Sequence, residues 1–226
     1  MANAVNYELI EGVARLSIDD GKANALGSPQ FAELSAGLDR AQDEASAVVI
    51  AGRPGLLSGG FDLKVLRSGD NAAVSKMIDD GVRFMMQLYG HPQPVVVAAT
   101  GHAVALAAFL LLAGDYRIGV DGDYSIGLNE VAIGLEIPLF GQMLAKARLS
   151  RQVHQQALLT ATMYSPYQAV AAGFLDEVVA QDCVLDGALQ QAHKLAELDA
   201  RAFAATKYQM RNADIKRVLA GLSATF

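Results

Sequence analysis

The strongest constraint in the sequence is an unbroken apolar run, Leu106–Leu112. A helix made from these residues has no polar face, so it must be buried on every side. The β-branched stretch Val95–Val97 and the turn residue Gly101 precede the run, and Gly114 ends it. The pattern predicts a strand, a tight turn and a buried helix that begins near Leu106.

The N-terminus of that helix is a candidate site for a developing negative charge. Its first N–H groups have no partner within the helix, and the aligned peptide dipoles favour an anion beyond them. Farther along, Glu130 closes the segment Ile126–Glu130 with no cationic residue nearby in sequence. A carboxylate in apolar surroundings has a raised pKa that suits a general base. We therefore expect the chemistry within the run Gly101–Pro138.

Strand patterns and helix patterns alternate along the rest of the chain. In Val5–Leu9 and in Val13–Ile18, apolar and polar residues alternate, which predicts two strands of a hairpin. Ser28 and Pro29 supply an N-cap and a first residue for a helix. The recurrence of strand-then-helix units predicts an α/β fold. The other expected elements are strands at 47–51, 116–119 and 174–179, helices at 71–89, 166–173 and 184–222, and a glycine-rich loop at 52–64.

Composition bounds the class of protein. The chain of 226 residues is 52% hydrophobic, which indicates a sizeable core and apolar surface buried between subunits. A net charge of -6 argues against a nucleic-acid surface. The single cysteine, Cys183, excludes an internal disulfide and a cysteine-rich metal site. Without a secretory signal or an apolar run of membrane-spanning length, we expect a soluble, cytoplasmic protein.

Three segments taken together resemble the crotonase (enoyl-CoA hydratase/isomerase) superfamily, over about residues 5–212. The segments are Leu57–Lys64, Gly101–Arg117 and Ile126–Glu130. Any one of them alone would be a weak signal, because short glycine-rich or apolar motifs occur in many folds. Together they identify the chain as similar to members of that superfamily.

The resemblance carries expectations about fold, assembly and substrate. It implies an α/β spiral of ββα units at 1–180, followed by a C-terminal helical segment at 181–226 that is short for the family. It implies a homotrimer or a homohexamer made of two trimers. The substrate would be an acyl-CoA thioester, so coenzyme A enters as part of the substrate. No metal or other cofactor is implied.

The resemblance assigns two backbone N–H groups to the thioester oxygen. By position, Phe61 and Leu106 provide them, and together they would stabilise the enolate formed when the α-proton leaves. The family usually has glycines at Ala105 to Ala107, so Ala107 is an alternative second donor if the Leu106 side chain narrows the pocket. The residues implied beside the coenzyme are Lys22, Ala23, Ala25, Gly59, Gly60, Phe61, Asp62, Leu63 and Lys64.

The number of catalytic glutamates distinguishes hydratases from isomerases in this family. Hydratases of the family use two glutamates, and this chain has Phe109 at the first position and Glu130 at the second. The segment Ile126–Glu130 is most similar to monofunctional Δ3,Δ2-enoyl-CoA isomerases, which need a single base. The alternatives are a hydratase that recruits Glu136 as a second acid, and a non-catalytic acyl-CoA-binding oligomer.

Two other polar residues have structural interpretations. His102 precedes the buried helix, and we expect it to be packed in a turn rather than to act as a base. Ser58 stands beside glycines like a nucleophile, but no Asp and His pair has the spacing of a triad. We expect neither to take part in the chemistry.

Overall fold

Successive strands of the chain go to two different sheets. The computed structural model describes residues 4–222. Its strands are β1 (Val5–Ile10), β2 (Val13–Ile18), β3 (Ala47–Ala51), β4 (Gly55–Ser58), β5 (Val95–Ala99), β6 (Gly101–Val104), β7 (Tyr116–Val120), β8 (Ile126–Gly127), β9 (Met163–Tyr164) and β10 (Glu177–Val179). Its α-helices are α1 (Ser28–Glu44), α2 (Leu63–Leu66), α3 (Asn71–Gly90), α4 (Leu106–Ala113), α5 (Leu139–Arg148), α6 (His154–Leu159), α7 (Pro166–Ala172), α8 (Val184–Ala196) and α9 (Ala200–Leu222).

The larger sheet has the order β1-β2-β3-β5-β7-β10, and the smaller has the order β4-β6-β8-β9. β1 and β2 form the expected antiparallel hairpin, and β2, β3, β5, β7 and β10 run parallel. In the smaller sheet β4, β6 and β8 are parallel. Each of the pairs β3/β4, β5/β6 and β7/β8 therefore places one strand in each sheet before a helix follows. The result is the spiral of ββα units that the resemblance implied, and it confirms the α/β fold.

The buried helix lies where the sequence predicts it. α4 begins at Leu106, and all eight of its residues are buried. Phe109 packs edge-on against Phe140 of α5, with ring centroids 5.2 Å apart. The position that carries an acid in family hydratases is thus part of the core.

Two helix predictions need correction at their ends. α1 begins one residue earlier than expected, with Gly27 rather than Ser28 as its N-cap, and the Gly27 N–H donates to Gln30 Oε1. The predicted helix at 184–222 is two helices, α8 and α9. The carboxylate of Asp199 starts the second by accepting the N–H of Ala202 at 2.7 Å, which is an N-cap contact.

Two strand predictions also change. The expected loop at 52–64 contains β4, which forms because Gly55 donates to Thr100 O at 2.8 Å and the strand then pairs with β6. The expected strand at 174–179 shortens to β10. Its first residues instead end α7, since the N–H groups of Phe174 and Leu175 both donate to Ala169 O.

One carboxylate fixes the last helix to the end of α4. Asp115 accepts the N–H of Val95 at 2.8 Å, Lys207 Nζ at 2.6 Å and Arg211 Nη2 at 2.8 Å. Burial lowers the pKa of Lys207 to about 8, against the opposing effect of Asp115. Removing one partner of such a buried group leaves charge unpaired, so the contacts tie α9 firmly to the core. Across residues 4–222, no helix combines the length and the apolar character needed to cross a bilayer.

Candidate active site

Three loops that carry the candidate site residues leave the same edge of the smaller sheet. Phe61, Leu106 and Glu130 follow the ends of β4, β6 and β8 by two or three residues. These strands are parallel neighbours in the order β4-β6-β8, so their carboxyl ends lie side by side. Ligands of parallel sheets commonly bind beyond the carboxyl ends of the strands.

The loop before Phe61 comes very close to the start of α4. Gly60 has φ +93°, and a Cβ added to it would lie 3.6 Å from Leu106 N. The neighbouring bonds are Leu26 N–H to Gly60 O at 2.8 Å and Asp62 N–H to Leu26 O at 3.0 Å. Leu26 is thus bonded to the carbonyl oxygen of Gly60 and to the N–H of Asp62, as in a parallel bridge. In this pattern the N–H of the residue between them, Phe61, points away from Leu26.

The N–H groups of Phe61 and Leu106 donate to no acceptor in the described part of the chain. The Ala107 N–H is also free of a helical partner, because the first intrahelical bond runs from Ala108 N–H to Ala105 O. The close approach of Gly60 to Leu106 N favours Leu106 over Ala107 as the partner of Phe61. These two unpartnered N–H groups are the candidate donors for an oxyanion.

Ala105 makes the turn that begins α4. It has φ 56° and ψ -124°, a conformation that a residue with a Cβ rarely adopts. Its N–H donates to Gly127 O at 3.0 Å, which ties the turn to the end of β8. Strain of this kind commonly costs about 1–3 kcal/mol.

We expect Ala105→Gly to raise the free energy of unfolding by about 1 kcal/mol. The backbone strain that glycine relieves in the folded state outweighs the conformational entropy that it adds to the unfolded chain. The measurement is urea unfolding of the ligand-free protein. Ala205→Gly in α9, where Ala205 is exposed, is the matched control and should lower stability by about 1 kcal/mol. Equal losses in the two variants would contradict the assignment of strain to Ala105.

Glu130 is a buried carboxylate with one unpartnered oxygen. It is 7% exposed, and its Oε2 accepts no hydrogen bond within the described residues. Its backbone oxygen accepts the N–H groups of Ile133 and Leu135, which fix the residue at the start of a short 3-10 turn. Burial raises the pKa of Glu130 to about 7. Near neutral pH the group can therefore both take and give a proton.

Glu136 lies in a different environment. Its side chain is exposed, in a segment where Val131, Ile133 and Leu135 are exposed as well. Phe109 and Glu130, by contrast, are buried. Glu136, the candidate second acid, therefore lacks the buried environment that Glu130 has.

The two loops expected beside the coenzyme pair with each other. Gly59 donates to Ala23 O at 2.8 Å, and the Ser58 hydroxyl donates to Asn24 O at 2.6 Å. Ser58 Oγ also accepts the N–H of Gly60, so this serine holds the loop. Asp62 caps α2 by accepting the N–H of Lys64 at 2.8 Å. Along this seam lie Lys22, Ala23, Ala25 and residues 59–64.

Sequence reasoning missed one cation on this surface. The guanidinium of Arg53 donates from Nε to Lys22 O at 3.2 Å, which puts a second positive side chain beside Lys22. Both residues are outside the protein core. Their positions differ by 31 in the chain, so no local pattern could have paired them.

His102 packs structurally, but it lies in strand β6 and not in the turn that the sequence predicted there, because Gly101–Val104 pair with β4. Its Nδ1 accepts the N–H of Ser125 at 3.0 Å, and its ring lies edge-on to Tyr124 with centroids 5.2 Å apart. Over residues 4–222, no three His, Cys, Asp or Glu side chains are grouped so that they could hold a metal ion.

The fold can now be compared with known proteins. A crystal structure of an enoyl-CoA hydratase/isomerase family protein from Pseudomonas syringae has 39% identity and a TM-score of 0.94, covering 98% of this chain and 96% of that one. The human mitochondrial delta3-delta2-enoyl-CoA isomerase has 26% identity and a TM-score of 0.94, with 98% and 88% covered. A probable enoyl-CoA hydratase of Mycobacterium avium (strain 104) is 30% identical over 87% of this chain and 77% of its own length.

The interleaved sheets and these neighbours define an enzyme of the crotonase superfamily. Within it, the enoyl-CoA hydratase/isomerase family model matches residues 8–224, and the chain belongs to that family. Relatives with both names occur, so membership alone leaves the choice of reaction to the residues of the site.

Proposed function

We propose that this protein is a Δ3,Δ2-enoyl-CoA isomerase in which Glu130 is the only acid and base. The observation that carries the proposal is the burial of Glu130. No Asp or Glu in the described part of the chain is more deeply buried, and its pKa is raised to about 7. The family's other acid position is Phe109, which is packed in the core. Isomerisation needs one group that moves one proton, and one such group is present.

The proposed reaction uses three groups. The Glu130 carboxylate takes a proton from C2 of a 3-enoyl-CoA, and the electron pair moves into the thioester carbonyl. The enolate oxygen is held by the N–H groups of Phe61 and Leu106, each worth about 10²–10³ in rate. The protonated Glu130 then gives its proton to C4 while the double bond forms between C2 and C3. The carboxylate is regenerated, so the cycle balances.

Hydration is the second candidate, because a relative from Mycobacterium avium is named a probable hydratase. In the form with two acids, Glu136 would have to join Glu130, and its exposure speaks against that pairing. No observation favours a non-catalytic acyl-CoA-binding oligomer. We also propose a homotrimer or homohexamer, since exposed apolar residues such as Ile133 and Leu139 give the chain surface to bury.

The test of the proposal is a pair of spectrophotometric assays on one preparation. With 3-enoyl-CoA we expect conversion to 2-enoyl-CoA. With 2-enoyl-CoA as the starting substrate, we expect hydration to be much slower. Faster hydration than isomerisation at saturating substrate would overturn the proposal.

Arg53 should contribute to binding rather than to chemistry. We expect Arg53→Ala to raise KM for an acyl-CoA by about 3–10-fold with kcat nearly unchanged. An exposed cation paired with a phosphate of the coenzyme contributes about 1 kcal/mol to the free energy of binding. The effect should shrink at high salt, since exposed charges are screened. Arg40→Ala, on α1 and paired with Glu44, is the control. If KM for Arg53→Ala equals KM for Arg40→Ala, the phosphates of the coenzyme do not bind beside Arg53.

A further inference from the structure

A single guanidinium holds the C-terminal end of α4, the helix whose first residue is Leu106. Arg148, the last residue of α5, donates from Nε to Leu112 O at 3.2 Å and from Nη2 to Gly114 O. The last carbonyls of an α-helix have no partner within the helix, so a buried helix end needs an outside donor. The planar guanidinium supplies two donors at once, and its positive charge is opposite to that of this end of the helix dipole.

The charge of Arg148 is not balanced by an ion pair. Burial lowers the pKa of Arg148 to about 10, and the positive charges of Arg117 and Arg211 act in the same direction, while Asp115 opposes them. The side chain therefore stays charged at neutral pH. Within the described residues, Asp115 pairs with Lys207 and Arg211, and no carboxylate pairs with Arg148. The carbonyl end of α4 is what this cation stabilises.

α4 joins this cation to the candidate site. All eight of its residues are buried, so solvent does not screen the helix along its length. The helix is about 12 Å long, and the candidate donor, the Leu106 N–H, is at its other end. With a hydrogen bond beyond each end, the guanidinium and a bound enolate oxygen would be about 16 Å apart. At an effective dielectric constant of about 20, the attraction between them is about 1 kcal/mol, which is about fivefold in rate.

We infer that Arg148 is a positioning residue of the enolate site, because it holds the carbonyl end of α4 and offsets its negative charge. The opposite end of the helix then attracts the thioester oxygen more strongly. The negative charge on that oxygen grows as the α-proton leaves, so the effect is larger in the transition state than in the bound substrate and lies in kcat. The inference rests on the proposed function, because it requires the enolate oxygen to lie at the Leu106 N–H.

The kinetic experiment varies the charge and the donors of residue 148 separately. Arg148→Met removes both, Arg148→Gln keeps an amide donor without the charge, and Arg148→Lys keeps the charge. We expect kcat to fall about fivefold in Arg148→Gln, more in Arg148→Met and less than about twofold in Arg148→Lys, with KM for 3-enoyl-CoA nearly unchanged. Lys146→Met removes an exposed cation from the same last turn of α5 and should change kcat by less than about twofold.

Infrared spectroscopy of a bound substrate analogue gives a readout that a loss of stability alone would not move. A saturated acyl-CoA, isotopically labelled at the thioester carbonyl carbon, has no double bond to shift or to hydrate. Hydrogen bonds from N–H donors polarise its C=O bond and lower the stretching frequency. We expect a lowered frequency in the wild type, in Arg148→Lys and in Lys146→Met. In Arg148→Gln and Arg148→Met the frequency should return part of the way to its value in solution.

Failure of the inference is separable from failure of the proposed function. An unchanged frequency in folded Arg148→Met and Arg148→Gln would overturn the inference and leave the role of Glu130 standing. If Arg148→Met does not fold, equal frequencies in Arg148→Gln and Arg148→Lys overturn it instead. A wild type that binds the analogue at the solution frequency would overturn both the inference and the proposed enolate site. A wild type that hydrates rather than isomerises, with the expected frequencies, would refute the isomerase proposal alone.

Discussion

Glu130→Gln should lower kcat for isomerisation by about 10³ or more, because it preserves the shape of the side chain and removes its basicity. Binding of an acyl-CoA should survive, since the backbone N–H groups of Phe61 and Leu106 are unaffected. The measurements are kcat from initial rates and the dissociation constant from equilibrium titration. Wild-type kcat should fall about tenfold per pH unit below about 7, as the carboxylate with its raised pKa becomes protonated.

The same substitution should stabilise the protein at alkaline pH. Burial raises the pKa of Glu130 from 4.5 to about 7, so the folded state binds a proton that the unfolded state has lost. Stability of the wild type therefore falls as pH rises from about 4.5 to about 7, and the loss persists above that range. We expect Glu130→Gln to be more stable than wild type by about 3 kcal/mol at pH 8, with little difference at pH 4. Thermal or urea unfolding of both proteins at pH 8 and at pH 4 measures this difference in stability.

Glu136→Gln is the matched control for the proton transfer, because it makes the same change on an exposed residue six positions along. Turnover should change by less than about tenfold, or roughly 1.4 kcal/mol of barrier. If it instead abolished hydration that the wild type performs readily, the site would be a hydratase that uses two acids, and the isomerase proposal would be wrong.

Leu106→Pro should lower kcat by about 10²–10³, because it removes one oxyanion N–H. Leu106 is the first residue of α4, and the first helical position tolerates proline because its N–H has no partner within the helix. Leu106→Met keeps the N–H and nearly the same volume, so it should retain most of the activity. Circular dichroism and unfolding show whether both variants keep the fold.

The choice between Leu106 and Ala107 can be made with the backbone alone. Replacing the Leu106 amide with an ester, through the corresponding hydroxy acid, deletes the N–H and leaves the side chain. We expect a loss in kcat similar to that of Leu106→Pro, and a loss of less than about tenfold for the same change at Ala107. The reverse order would assign the second donor to Ala107.

Features that depend on local pattern were predictable from the sequence. The buried helix α4 follows from an apolar run without a polar face, and the burial of Glu130 agrees with that of Ile126 and Leu128 just before it, whereas the apolar residues just after it are exposed. The identity of the family rested on three motifs, and the family model confirms it. The roles of Phe61, Leu106 and Glu130 in catalysis remain predictions, which the variants above test.

Features that depend on distant partners were not predictable. β4 exists because it pairs with β6, and a strand of four residues inside a glycine-rich segment has little signal of its own. Arg53 meets Lys22 across the fold, and Asp115 meets Lys207 at a separation of 92 positions. Such contacts are set by tertiary packing, which periodicity within one segment does not report.

The interleaved ββα units have a consequence for how such an enzyme can diverge. Each group of the proposed site comes from a different turn of the spiral, and two of the three are main-chain amides that any residue except proline supplies. Mutation can therefore vary the side chains at Phe61 and Leu106, and with them the shape of the acyl pocket, without removing the enolate site. A change of reaction needs new side chains at few positions, such as Phe109 on α4 and Glu130 after β8. A lineage with this architecture can acquire another chemistry through a few codons without rebuilding the spiral.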